Sequence, residues 1–190
     1  MPRSSNRKLQ ILQRLAEMLE DPNCTKVTTA LLASRLEVSE AALYRHFASK
    51  AQMYEGLIEF TEQTVFGLVN KISDSEESGV AQVTSVIGVL LSFAKKNPGM
   101  TRVLIGDALV HENERLQERV NRLHDRLESS IRQSLRFAIN QGEIQSVLEI
   151  DSKANQIMAY VVGRWHQFAK SGFRKDPTLY SESQARMLLT

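Results

Sequence analysis

Thr28-Thr29-Ala30-Leu31-Leu32-Ala33-Ser34-Arg35-Leu36-Glu37-Val38-Ser39-Glu40-Ala41-Ala42-Leu43-Tyr44-Arg45-His46-Phe47 holds two helix starts in quick succession. A hydroxyl at Thr28 can cap a helix over residues 29–36, and one at Ser39 can cap another over 40–46, because each side-chain oxygen accepts from an amide with no partner inside the helix. Only Glu37 and Val38 lie between them, which leaves room for a tight turn and nothing more. Leu32, Ala33, Leu36, Val38, Leu43 and Phe47 supply the inner side, and the small Ala33 lets the two helices cross steeply. The layout is that of a helix-turn-helix.

A seven-residue helix is about 10 Å long and suits end-on entry into a major groove about 12 Å wide. Ser39, Glu40, Ala41, Ala42, Tyr44, Arg45 and His46 face outward. The two alanines keep the surface low, so that the backbone approaches base edges and offers methyl contact to thymine, while Tyr44 and His46 can donate to phosphates or bases. Thr28 and Thr29 bring hydroxyls and helix-terminal amides to a phosphate, and Lys50 adds a second anchor. The expected contacts to double-stranded DNA are therefore Thr28, Thr29, Ser39, Ala41, Ala42, Tyr44, His46 and Lys50. An ordinary helical corner with a solvated surface has the same spacing.

Working outward, apolar spacings of three and four recur and β-type alternation does not, so all 190 residues read as all-α. A first helix over 6–20 carries Leu12, Leu15, Ala16 and Leu19 on one face. Asp21-Pro22-Asn23, the polar run from Ser73 to Gly79, Asn97-Pro98-Gly99 and Asp176-Pro177-Thr178 punctuate the rest of the chain. Between them the pattern predicts helices over 50–72, 80–96 and 99–110, an amphipathic rod over 113–141 ending near Gly142, and a helix over 151–172. The last presents a wide apolar arc with the single Trp. Met158, Val161, Val162, Trp165 and Phe168 are its candidate subunit-interface residues, although a buried central helix reads alike. The division expected is a DNA-binding domain over 1–50 and a helical dimerisation and partner-binding domain over 51–190.

Charge divides the same way. Residues 1–50 hold eight basic and five acidic groups, while the remaining residues hold 16 and 17, so the basic excess sits in the first quarter. No apolar run approaches the roughly 20 residues of a membrane span, and the start of the chain lacks a signal-peptide core, which makes a cytoplasmic protein with no membrane partner the expectation. One cysteine, Cys24, and four scattered histidines supply no metal-ligand spacing. There is no phosphate loop and no nucleophile motif, so neither a cofactor nor an enzymatic activity is expected.

The residues Thr28-Thr29-Ala30, Ala33, Val38-Ser39, Ala42-Leu43-Tyr44, His46-Phe47 and Ser49-Lys50 closely resemble the DNA-binding module of the TetR family of bacterial regulators. Leu57-Ile58-Glu59-Phe60, Asn97-Pro98-Gly99-Met100-Thr101-Arg102-Val103-Leu104 and Glu114-Arg115-Leu116-Gln117 extend the likeness to a nucleoid-associated branch of that family concerned with cell division. The resemblance implies a homodimer, able to assemble further on DNA, that binds palindromic chromosomal sites and antagonises the tubulin-like division protein FtsZ. It also implies a groove for the FtsZ tail between the helix after the recognition helix and the apolar helix ending at Asn97, with Phe60, Phe93, Lys96, Asn97 and Arg102 at the matching positions. Glu37 stands where such modules carry Gly, Ala48 where Pro is frequent, and Leu68 and Ser92 where basic and small groove residues are expected. A ligand-responsive repressor of the same family is the alternative. It requires an apolar pocket above roughly 300 Å³ inside the helical domain, with a few converging polar groups.

Overall fold

A computed structural model describes residues 3–22, 24, 26–145 and 149–189, with side chains from residue 6 onward. Asn23, in the first expected break, lies outside the described residues, as do Met1 and Pro2. The regular elements among the described residues are all helices, the class that the periodicity predicts, in the order α1 (Arg3–Leu19), α2 (Thr29–Arg35), α3 (Glu40–Tyr44), α4 (Lys50–Ser75), α5 (Gly79–Lys96), α6 (Pro98–Leu104), α7 (Glu114–Asn140), α8 (Ile150–Lys170) and α9 (Ser181–Leu189). The chain groups into two compact units, residues 1–61 with 97–120, and residues 62–96 with 121–190.

In the first unit α1 buries Ile11, Leu15 and Leu19, one position round from the expected stripe, with Leu12 and Ala16 half-buried. Its C-terminal end meets α6, where an added Cβ on Gly99 would lie 2.1 Å from the Ala16 carbonyl oxygen. The last carbonyls of a helix have no partner inside it. Here the buried Arg102 supplies one, donating from Nη1 to Leu19 O (3.2 Å) and Asp21 O (3.1 Å) while its Nε donates to Asp107 Oδ2 (2.8 Å). The helix expected over 99–110 is shorter than its apolar pattern, since Gly106 turns left-handed (φ 78°) and restarts the chain as a 3-10 turn, Asp107–Leu109.

In the second unit α5 is apolar almost all round and packs against both α8 and α9. The α7 positions Leu123, Leu127, Ile131 and Leu135 are buried at successive steps of four, as expected of an amphipathic rod. Gly79 permits α5 to start against α7, because a Cβ there would sit 2.2 Å from Ala138 N. The Trp165 indole, 1 % exposed, donates Nε1–H to Leu90 O at 3.1 Å. Beyond α8, Arg164 gathers the backbone oxygens of Asp176, Pro177 and Leu179 and so shapes the turn into α9. The sequence pattern does not predict that last helix: nine residues with only Ala185 and Leu189 buried give too little periodicity to stand out. No helix among the described residues is long and apolar enough to cross a membrane.

Candidate nucleic-acid interface

The two caps form as the residue types dictate. Thr28 Oγ1 accepts from Leu31 N at 3.2 Å, and Ser39 Oγ accepts from Ala42 N at 3.3 Å. Between the helices Glu37 N donates to Ser34 O and Val38 N to Ala33 O, closing the turn. Glu37 takes φ 55°, the left-handed region that Gly enters without cost and a side chain does not. Leu32, Ala33, Leu43 and Phe47 are buried beneath, and Lys8 lies over the Phe47 ring, 5.6 Å from its centroid. Thr29 Oγ1 donates to Glu40 Oε2 at 2.5 Å, which fastens the starts of the two helices to each other.

The short α3 ends two residues sooner than its pattern, because His46 N bonds back three residues to Leu43 O and tightens the last turn. Thr28, Ser39, Ala41 and Tyr44 are exposed, and Thr29, Ala42, His46 and Lys50 are half-buried. The short α3 thus shows solvent the methyl of Ala41 and the phenol of Tyr44 beyond its capped start, with Arg45 exposed after them. Ser49 Oγ caps α4 by accepting from Gln52 N (3.1 Å). Lys50, next in sequence, donates to Glu112 Oε1, and its ammonium lies 5.7 Å from the centroid of the buried Tyr54 ring. Burial first, and the Glu112 charge second, push the Tyr54 phenol well above its ordinary range. Sequence reasoning does not find Glu112, and no local signal marks it: its partner is 62 residues away.

The other expected residues have separate fates. Phe60 is 46 % exposed and Lys96 is exposed, Asn97 is half-buried, and Phe93 and Arg102 are buried. Met158, Val161, Trp165 and Phe168 lie in the second unit's own core, with Val162 half-buried. On the α8 side away from that core Ala159, Gly163 and His166 are exposed. A concavity of about 410 Å³ opens on the first unit, lined by Leu9, Leu12, Ala16, Leu57, Phe60 and Met100, with Glu17 and Glu20 also on its wall. Among the described residues no cluster of His, Cys, Asp and Glu could hold a metal ion.

Comparison with known proteins agrees with this geometry. Residues 11–57 match the family model described as bacterial regulatory proteins, tetR family, and residues 77–190 match that of the tetracyclin repressor-like C-terminal domain, SlmA-like. The chain is 44% identical over 183 residues to the nucleoid occlusion factor SlmA of Idiomarina loihiensis, covering 96% of this chain and 93% of that one. It is 47% identical to the protein of that name from Vibrio cholerae, over 91% of this chain and 89% of the relative. Among solved structures, the TetR family regulator PfmR from Thermus thermophilus superposes with a TM-score of 0.79 at 17% identity, covering 94% of this chain and 96% of that one. FadR from Bacillus subtilis, solved with stearoyl-CoA, gives 0.77 at 16% identity over 96% and 97%. These last two bear on the fold alone. With both its helix-turn-helix and its C-terminal helices matched, the chain belongs to the TetR family of bacterial DNA-binding regulators, in the group of the nucleoid occlusion factors SlmA, and is not an enzyme.

Proposed function

We propose that this protein is a nucleoid occlusion factor: as a homodimer it binds palindromic chromosomal sites through α2 and α3 and, so bound, antagonises FtsZ and keeps the division septum from forming over the nucleoid. The observation that carries this reading is the identity of 44–47% to proteins of that name over nine-tenths of the chain or more. The interface geometry supports the DNA half. Capped helix starts at Thr28 and Ser39 offer amides and hydroxyls to phosphates, while the exposed Ala41 and Tyr44 of α3 suit contact with base edges.

Exposure of Phe60 supports it as a contact for the apolar groups of the FtsZ tail, and exposure of Lys96 supports it separately as a cation for acidic groups. For the dimer, the face of α8 that carries the exposed Ala159, Gly163 and His166 is the candidate that exposure supports, since Ala159 and Gly163 leave room for a second helix. A Cβ at Gly163 meets nothing within 4 Å, so Gly163→Glu leaves the protomer folded and shifts sedimentation from dimer to monomer. A persistent dimer would place the contact elsewhere.

The test of function is fluorescence anisotropy of a labelled FtsZ C-terminal peptide, titrated with the protein in the presence and absence of genomic fragments that it retains. Saturable binding that DNA strengthens is expected. The alternative, a ligand-responsive repressor, is favoured by one observation, the concavity of about 410 Å³ on the first unit. Retained DNA with no peptide binding in either condition would select it.

A further inference from the structure

We infer that Glu112 competes with the DNA phosphate for the Lys50 ammonium and is thereby a residue that sets DNA affinity. The inference rests on the proposed role of Lys50 as a phosphate anchor. Lys50 occupies the first turn of α4, the helix that comes after the recognition helix. Its side chain is only 20 % exposed and that of Glu112 only 8 %, and the two are joined as an ion pair with the ammonium 5.7 Å from the centroid of the Tyr54 ring. An ammonium held this way is already neutralised. A phosphate that takes it must either displace the carboxylate or sit beside it, and two anions on one compact cation repel.

Glu112 is positioned for such an exchange by its turn. Its amide donates to Leu109 O (2.9 Å), which fixes the backbone, while Val110, His111 and Asn113 around it are exposed. The carboxylate therefore has solvent within reach when Lys50 leaves, so that the charge need not stay buried and unpaired. Phosphate and Glu112 are competing partners of one cation, so DNA that uses Lys50 must displace, or crowd against, a carboxylate already paired with it in the free protein.

The experiment measures the affinity of the full chain for a labelled random-sequence duplex across a salt series, for the wild type, Glu112→Gln, Lys50→Ala and the double variant. Glu112→Gln is expected to bind about tenfold tighter at low salt, with a salt slope steeper by about 0.9, the increment of one extra phosphate contact. Lys50→Ala binds more weakly, and the double variant binds like Lys50→Ala, because Glu112 acts only through Lys50. Glu112→Asp, which keeps the charge but shortens its reach, gives an intermediate gain and covers the case in which Glu112→Gln fails to fold. Affinity of Glu112→Gln equal to or below wild type overturns the inference, as does an equal gain in the Lys50→Ala background, which would make Glu112 a general repulsive charge. Wild-type affinity in Lys50→Ala overturns instead the reading of Lys50 as an anchor.

Discussion

Replacing Gly99 by Ala tests the packing that positions α1, the helix against which the DNA-binding module folds. The new methyl carbon would lie 2.1 Å from the Ala16 carbonyl oxygen, 3.0 Å from its carbon and 3.1 Å from Leu19 Cβ, against the 3.4 Å at which ordinary contact begins. Two of those three atoms are backbone, so no rotamer change relieves the clash, and α6 must move away from α1 by about an ångström. Overpacking of this kind costs about 1–3 kcal/mol. The same displacement pulls Arg102 from Leu19 O and Asp21 O, leaving a buried guanidinium short of partners, which adds a further 1–3 kcal/mol or so. A total of about 2–6 kcal/mol lowers the melting temperature by about 4–24 °C at 2–4 °C per kcal/mol. Gly67→Ala is the control: it lies mid-helix in α4 with nothing within 4 Å of the new atom, and is expected to stabilise by about 0.5–1 kcal/mol. Thermal melts followed by far-ultraviolet circular dichroism read both. A Gly99→Ala protein melting with the wild type would refute the close approach and the role given to Arg102.

Glu37→Gly relieves a side chain held at φ 55° but loosens the unfolded chain, for a net gain of about 0.5–1 kcal/mol in chemical denaturation; a loss would show that the Glu37 side chain stabilises the turn. Trp165→Ala removes a fully buried indole and its bond to Leu90 O, at a cost of about 3–5 kcal/mol by the same measurement, and a cost under about 1 kcal/mol would mean that the residue is not core. Asp176 accepts from Lys95 Nζ (2.7 Å) and from the Thr178 amide and hydroxyl, and these bonds hold its carboxyl down to about 2. A depressed folded-state value stabilises above the unfolded one and is lost as the carboxylate protonates, so stability falls as pH drops from about 4 towards about 2. Lys95→Ala should flatten that part of the acid profile, and an unchanged profile would show that the pair is not formed in solution.

Local chemistry is legible in the chain and distant chemistry is not. The caps at Thr28 and Ser39 depend on residues within four positions of one another, so the helix-turn-helix can be read before any coordinates. The arc on α8 marks Trp165 as needing cover without saying whose, and the cover for most of it is α5 and α9 of the same chain. The structural partner of Arg102 is not legible because the helix end in need of a donor, α1 at Leu19, lies 83 residues earlier. The Lys50–Glu112 pair is hidden for the same reason. The burial of α9 is set by tertiary contact with α5, which a nine-residue pattern does not reveal.

The decisive measurement is light scattering from assembling FtsZ, with this protein added alone and together with a saturating fragment of the DNA it retains. A nucleoid occlusion factor lowers the scattering, and does so more strongly when DNA-bound. FtsZ that assembles unaltered in both conditions, while the protein holds its DNA, would contradict the proposed function and leave a TetR-family repressor.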